Sequence, residues 1–143
     1  MGTLYDTDIV AWASEQAELL RAGNWDALDL EHIVEDIEDV GKSEKPELRS
    51  RVAVLIAHLL KWKYQPGKRS KSWVATIEVQ RTSIALALKG TPSSKHLLTE
   101  KEWLRTAWTD GLSIVIADTG LHDLPREPVW EIGDMLDESF LPD

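Results

Sequence analysis

Arg81 is the residue in this sequence whose placement demands most of its surroundings. Projected at 100° per residue, it falls in the middle of the apolar stripe formed by Trp73, Ile77, Ile84 and Leu88, with Gln80 at the edge of that stripe. A guanidinium on a core face needs partners, because burying it unpaired is strongly unfavourable. Glu35 and Glu38, on one flank of an acidic segment, are the natural carboxylates for its planar fork. Two readings follow. One is a structural clamp between helices. The other is a pocket for an acidic or phosphate-bearing ligand, built from Glu35, Glu38, His58 and Arg81 with Gln65 or Arg69 as further donors.

His58 lies at the edge of another apolar face, near Arg51 and Trp62 by projection. A packed, hydrogen-bonded histidine is the simpler reading. Joined by Glu35 or Glu38 it would make a metal or acid–base site across two helices. Di-metal sites in helical bundles use Glu-x-x-His on more than one helix, and this chain has neither that motif nor His-Glu-x-x-His. His32 directly follows Glu31, and His96 and His122 sit in weakly patterned places. No metal and no cofactor is expected. There is also no Gly-x-Ser-x-Gly, phosphate-cradling glycine loop or dinucleotide fingerprint. Ser70 and Ser72, after a Pro-Gly turn, read as helix caps rather than nucleophiles, so no catalytic residue is assigned and the reading leans away from an enzyme.

Charge is segregated along the chain. Residues 1–40 carry eleven acidic side chains and one basic, whereas residues 41–81 carry ten basic and three acidic, within a total of −9. The simpler account is that the two segments pack together and partly neutralise; the other is a basic surface for an anionic partner. Lys61, Lys63, Lys68, Arg69 and Lys71, with Tyr64 and Trp73, combine positive charge with aromatic rings as single-strand nucleic-acid surfaces do. An acidic domain lacking any helix-turn-helix, KH or RRM signature argues instead for solvated rim charge.

The elements that must position these residues are helical throughout. Ile9, Trp12, Ala13, Gln16 and Leu20 predict a first helix over 4–21, stopped by Gly23, with Trp25 folding back onto the core. Leu30, Ile33, Val34, Ile37 and Val40 form the apolar stripe of a second, begun at Asp29 and ended by Gly41; Glu31, Glu35 and Glu38 share one of its flanks and His32, Asp36 and Asp39 the other. Ser43 is placed to cap a third, carrying Leu48, Val52, Leu55, Leu59 and Trp62 and widened by Val54, Ile56 and Leu60, which makes it the most central. Gln65-Pro66-Gly67 ends it, Ser70 or Ser72 starts a fourth, and Gly90-Thr91-Pro92 stops that one. Leu97, Leu98, Leu104, Trp108, Leu112 and Val115 are helical again, with a bend or break near Glu100 and a C-cap at Gly120. A short helix over 129–138 follows, and Phe140 and Leu141 tether the tail. No stretch alternates with period two. The expected fold is all-α, a compact bundle of five to six helices, mostly antiparallel neighbours with short links, in a single domain over 1–143.

The absence of cysteine excludes disulfides and thiolate chemistry, and seven tryptophans against one phenylalanine suggest large aromatics wedged between helices. No run approaches the roughly 18 apolar residues that span a bilayer, and MGTLYDTD lacks a basic region followed by an apolar core, so a cytoplasmic protein with no membrane partner is expected.

The stretches LYDTDIVAWASEQAELLRAG (4–23), LDLEHIVEDIEDVGKSEKPELRSRV (28–52), HLLKWKYQPGKRSKSWVATIEVQR (58–81), TGLHDLPREP and LDESFLP resemble the DUF29 family, small and largely bacterial proteins of unknown function. The shared pattern includes the acids at Glu35 and Glu38, the arginines at 49 and 51, His58 to Trp62, Gln65-Pro66, Arg69-Ser70-x-Ser72-Trp73 and Gln80-Arg81. Pro46 stands where a basic residue is usual, and Pro128-Val129-Trp130 replaces a more polar approach to the last helix. The resemblance implies an all-helical fold and supplies no catalytic assignment. Three functions stay open: a non-enzymatic helical protein that binds a protein partner or itself, a small-molecule or anion site at the inward polar cluster, and a nucleic-acid surface at 61–71, the last opposed by the acidic balance.

Overall fold

The computed structural model describes residues 3–143, with positions 41, 43 and 44 described as backbone only. The described residues are all-helical and contain no strand. Six α-helices occur among them: α1 (Leu4–Thr7), α2 (Ile9–Ala22), α3 (Leu30–Tyr64), α4 (Lys71–Gly90), α5 (Lys101–Thr119) and α6 (Ile132–Leu136), with 3-10 segments at Trp25–Ala27, Pro66–Lys68 and Pro92–Thr99. Contacts divide the chain into two compact units, Met1–Ser43 and Glu44–Asp143.

In the N-terminal unit the expected first helix is two. Asp8 leaves the helical region (φ −153°, ψ 89°) and its carboxylate accepts the Ala11 amide at 3.0 Å, so it ends α1 and caps α2. Gly23 adopts φ 71° and closes α2, as its position implies. Trp12 and Gln16 are the buried residues of α2, whereas Trp25 is 61% exposed and does not fold back onto a core.

The second and third helices expected from the sequence are one. α3 runs 35 residues, helical through Gly41 and with Pro46 inside it. A glycine stops a helix by turning left-handed, as Gly23 and Gly120 do with positive φ; one that stays helical costs only about 1 kcal/mol relative to alanine. With no break at 41, Ser43 has no helix start to cap, and its side chain lies outside the described residues.

The C-terminal unit is the bundle that the periodicity implies. Val52, Leu55, Ile56, Leu59 and Leu60 of α3 are fully buried, making this half of α3 the central element. Against them pack Ile77 and Ile84 of α4, Ala107, Trp108 and Val115 of α5, and Met135 of α6, with Leu121, Leu124, Trp130 and Phe140 closing over the core. Ser70 caps α4 by accepting the Trp73 amide at 3.2 Å. Glu100 is extended and separates the 3-10 segment from α5, where a break is expected, and Gly120 (φ 73°) ends α5. The chain past Pro125 and Pro128 stays non-helical to Glu131, so the last helix is shorter than the 129–138 expected.

Gly111 sits at a close approach of α5 to α3. A Cβ built there would lie 2.8 Å from Ile56 Cγ2, 3.1 Å from Ile56 Cβ and 3.0 Å from the Ala53 carbonyl oxygen. Two of those atoms cannot swing aside. A glycine inside a helix weakens it mildly; this one permits close approach.

Candidate functional site

Arg81 is buried, 6% exposed, as its projection onto the apolar stripe of α4 implies. Its partners correct the expectation. Nε donates to the Met135 carbonyl at 2.8 Å, Nη2 to the Phe140 carbonyl at 2.7 Å and Nη1 to the Glu138 carbonyl at 3.4 Å. Carbonyl oxygens of α6 and the tail thus take the place of Glu35 or Glu38. Among the described residues neither glutamate makes a hydrogen bond or ion pair, and both are exposed on α3. Burial lowers the affinity of Arg81 for its proton, and the charges of Asp137 and Glu138 oppose that. A cavity of about 320 Å³ adjoins it, lined by Glu78, Arg81, Thr82 and Glu138. Two carboxylates against one guanidinium make poor walls for an anion.

The other candidates fall into separate places. The carbonyl oxygen of Val54 lies 2.9 Å from His58 Nδ1 and is its hydrogen-bond partner. Burial pushes the imidazole below its ordinary pKa, and the charge of Lys61 adds to this, against the Val54 carbonyl and Asp118. Arg69 stacks over the Trp62 ring at 4.8 Å and donates Nε to the Trp62 carbonyl at 2.8 Å. Gln65 precedes the Pro66–Lys68 turn, its amide donating to the Lys61 carbonyl. Gln80 Oε1 is buried and has no hydrogen-bond partner among the described residues.

Lys61 corrects the reading of 61–71 as solvated rim charge. It is 7% exposed and its Nζ lies 2.6 Å from Asp118 Oδ2. That bond holds the Asp118 carboxyl below the usual carboxylate range. With Lys61 buried and Arg69 laid on Trp62, Lys63, Lys68 and Lys71 remain of the basic run, and Lys63 lies near the Tyr64 ring at 5.9 Å.

A polar network in the N-terminal unit escaped the sequence reading. Asp29 organises it. Oδ2 accepts Trp12 Nε1 at 3.0 Å and lies 2.7 Å from His32 Nδ1, while the Asp29 amide donates to Gln16 Oε1 at 2.8 Å. The Tyr5 ring stacks on His32 at 3.9 Å and 15°, and meets Trp12 edge-on at 4.8 Å. Its hydroxyl donates to Asp36 Oδ1 at 2.8 Å, and this bond, with burial and nearby acids, pushes Tyr5 up to about 12. The available signals were a glutamine on the inward face of α2 and His32 with Asp36 four residues apart on one flank.

The Asp29 carboxylate raises His32, and nearby Glu31 and Glu35 reinforce it against burial; the same contact lowers Asp29. His32 and His58 therefore depart from a common value of 6.5 in opposite directions. Histidine ring NMR across pH 4–9, assigned with H32Q and H58Q, is expected to show His32 titrating above His58; coincident or reversed midpoints would contradict the network. The sign for stability follows. The His32 contribution is complete below the unfolded value near 6.5 and disappears as pH rises through its raised folded value. The His58 contribution is lost as pH falls from there through its lowered one.

The apolar stripe at the start of α3 does not face a core. Leu30, Val34 and Ile37 are 62%, 51% and 67% exposed, while the flank bearing His32 and Asp36 meets Tyr5. No cluster of three or more His, Asp or Glu residues spaced to hold a metal occurs among the described residues. No helix among them is long and apolar enough to cross a membrane. The model of a family described as a domain of unknown function, DUF29, matches residues 4–141. No curated protein and no solved structure matches the chain.

Proposed function

The chain belongs to the DUF29 family, and from that premise we propose that it acts as a non-enzymatic protein-interaction module whose contact face is the start of α3. The observation that carries this reading is the exposed row Leu30, Val34 and Ile37, at i, i+4 and i+7 on one helix face. Fully burying such a side chain contributes about 1.5–3 kcal/mol, so side chains already partly covered contribute roughly 3–5 kcal/mol together. A micromolar complex needs about 8 kcal/mol. The row anchors a helix-in-groove or helix-on-helix contact, and polar contacts at its border supply the rest.

A photo-crosslinking residue at position 37 of the full chain tests the reading in cells that express it. Discrete crosslinked products are expected from position 37, none from the exposed control position 102, and their loss in the V34S variant with helicity unchanged. Light scattering separates self-association from a second protein. A strictly monomeric chain with no crosslinked product from position 37 would remove the proposal.

A further inference from the structure

We infer that the partner on this face is a cationic amphipathic helix, an inference that rests on the interaction reading above. Its basis is a second row beside the first. Glu31, Glu35 and Glu38 repeat the i, i+4, i+7 spacing of Leu30, Val34 and Ile37, displaced by one residue and so by 100° around α3. Each apolar side chain therefore has an acid next to it on the same border. All three glutamates are exposed, and among the described residues none makes a hydrogen bond or an ion pair, although Glu31 and Glu35 lie near enough to His32 to help raise it. The neighbouring aspartates are occupied: Asp29 by Trp12 and His32, Asp36 by Tyr5, Asp39 by Lys42.

This arrangement discriminates among occupants. Like charges at i, i+4 repel along an isolated helix, and a row of lysines or arginines on a partner relieves that repulsion while its apolar seam covers Leu30, Val34 and Ile37. A second copy meeting face to face would set three carboxylates against three. Nucleic acid or an anionic lipid surface would meet the same repulsion. The partner that fits carries apolar residues at 3–4 spacing, with Lys or Arg one position away along one border. Complementarity of this kind sets orientation and speeds association, and salt weakens it.

Fluorescence anisotropy of the full chain with three labelled synthetic helical peptides tests this. One has a Leu/Ile seam bordered by Lys and Arg, one the same seam bordered by Gln, and one the composition of the first in scrambled order. The basic amphipathic peptide is expected to bind at least tenfold more tightly than either other peptide at 50 mM salt, with most of that advantage gone at 500 mM. The triple variant E31Q/E35Q/E38Q is expected to erase the advantage over the Gln-bordered peptide and leave binding of the latter unchanged. The V34S/I37S variant should weaken both amphipathic peptides together. Equal binding of Lys/Arg- and Gln-bordered peptides, equal binding of the scrambled peptide, or a triple variant that keeps the advantage overturns the inference. A chain whose scattering mass doubles through this face does so too. Crosslinks from position 37 that persist beside such a result leave the interaction reading standing; loss of both ends it.

Discussion

Replacing Arg81 with alanine is expected to destabilise the C-terminal unit by about 2–5 kcal/mol, since each buried acceptor left without a donor costs roughly 1–3 kcal/mol. Two of the three carbonyls it serves, those of Met135 and Phe140, are held at 2.8 and 2.7 Å, and the side chain that serves them is nearly sealed from water. Arg81→Lys keeps the charge but replaces a planar five-donor fork with one ammonium, which cannot satisfy carbonyls spread from 135 to 140. It is expected to recover only part of the loss. Urea denaturation gives the magnitude, and amide exchange at 135–140 gives the location. Faster exchange confined to α6 and the tail in the lysine variant is the expected signature. Unchanged exchange there, with stability near wild type, would show that the clasp adds little.

Trp108→Ala is expected to cost about 3–5 kcal/mol, the range for a large aromatic removed from a packed core. The residue is wholly buried in the hydrophobic core, and its ring meets Trp130 edge-on at 5.5 Å, which in turn meets Phe140 at 5.8 Å. Its indole N–H also donates to the Pro125 carbonyl at 2.8 Å. Trp108→Phe separates the two contributions: most of the apolar volume stays, and the Pro125 carbonyl loses its donor, for about 1–3 kcal/mol. Domains are commonly stable by only 5–15 kcal/mol, so the alanine variant should show a large drop in urea midpoint. A phenylalanine variant as stable as wild type would mean that water satisfies Pro125.

The two units differ in how much of them was legible. In the C-terminal unit the width of the apolar stripe over Leu48–Trp62 identified the central helix, and caps such as Ser70 and Gly120 are local chemistry that a sequence displays. Arg81 was recognisable as a buried cation, yet its partners were not. Carbonyl oxygens belong to every residue, so the pattern directed attention to the nearest carboxylates, Glu35 and Glu38. Lys61 was misread for a related reason: in a run of lysines, nothing local marks the one whose stem lies in the core with an aspartate 57 positions away. At the start of α3, periodicity correctly identified an apolar face, but periodicity says nothing about whether the chain itself covers it. Gly41 reads as a stop, and the helix carries on through it and through Pro46.

The close approach at Gly111 has a further consequence, for the register between two helices. Sliding α5 along α3 by one turn would bring Ala107 or Val115 to the crossing, and each carries the Cβ for which Ile56 and the Ala53 carbonyl leave no space. Apolar stripes alone tolerate such slips, because leucine-like side chains one turn apart are nearly interchangeable. A single missing methyl group is not. It works as an alignment notch, so that of the ways these two helices could lie against each other, only one lets them close.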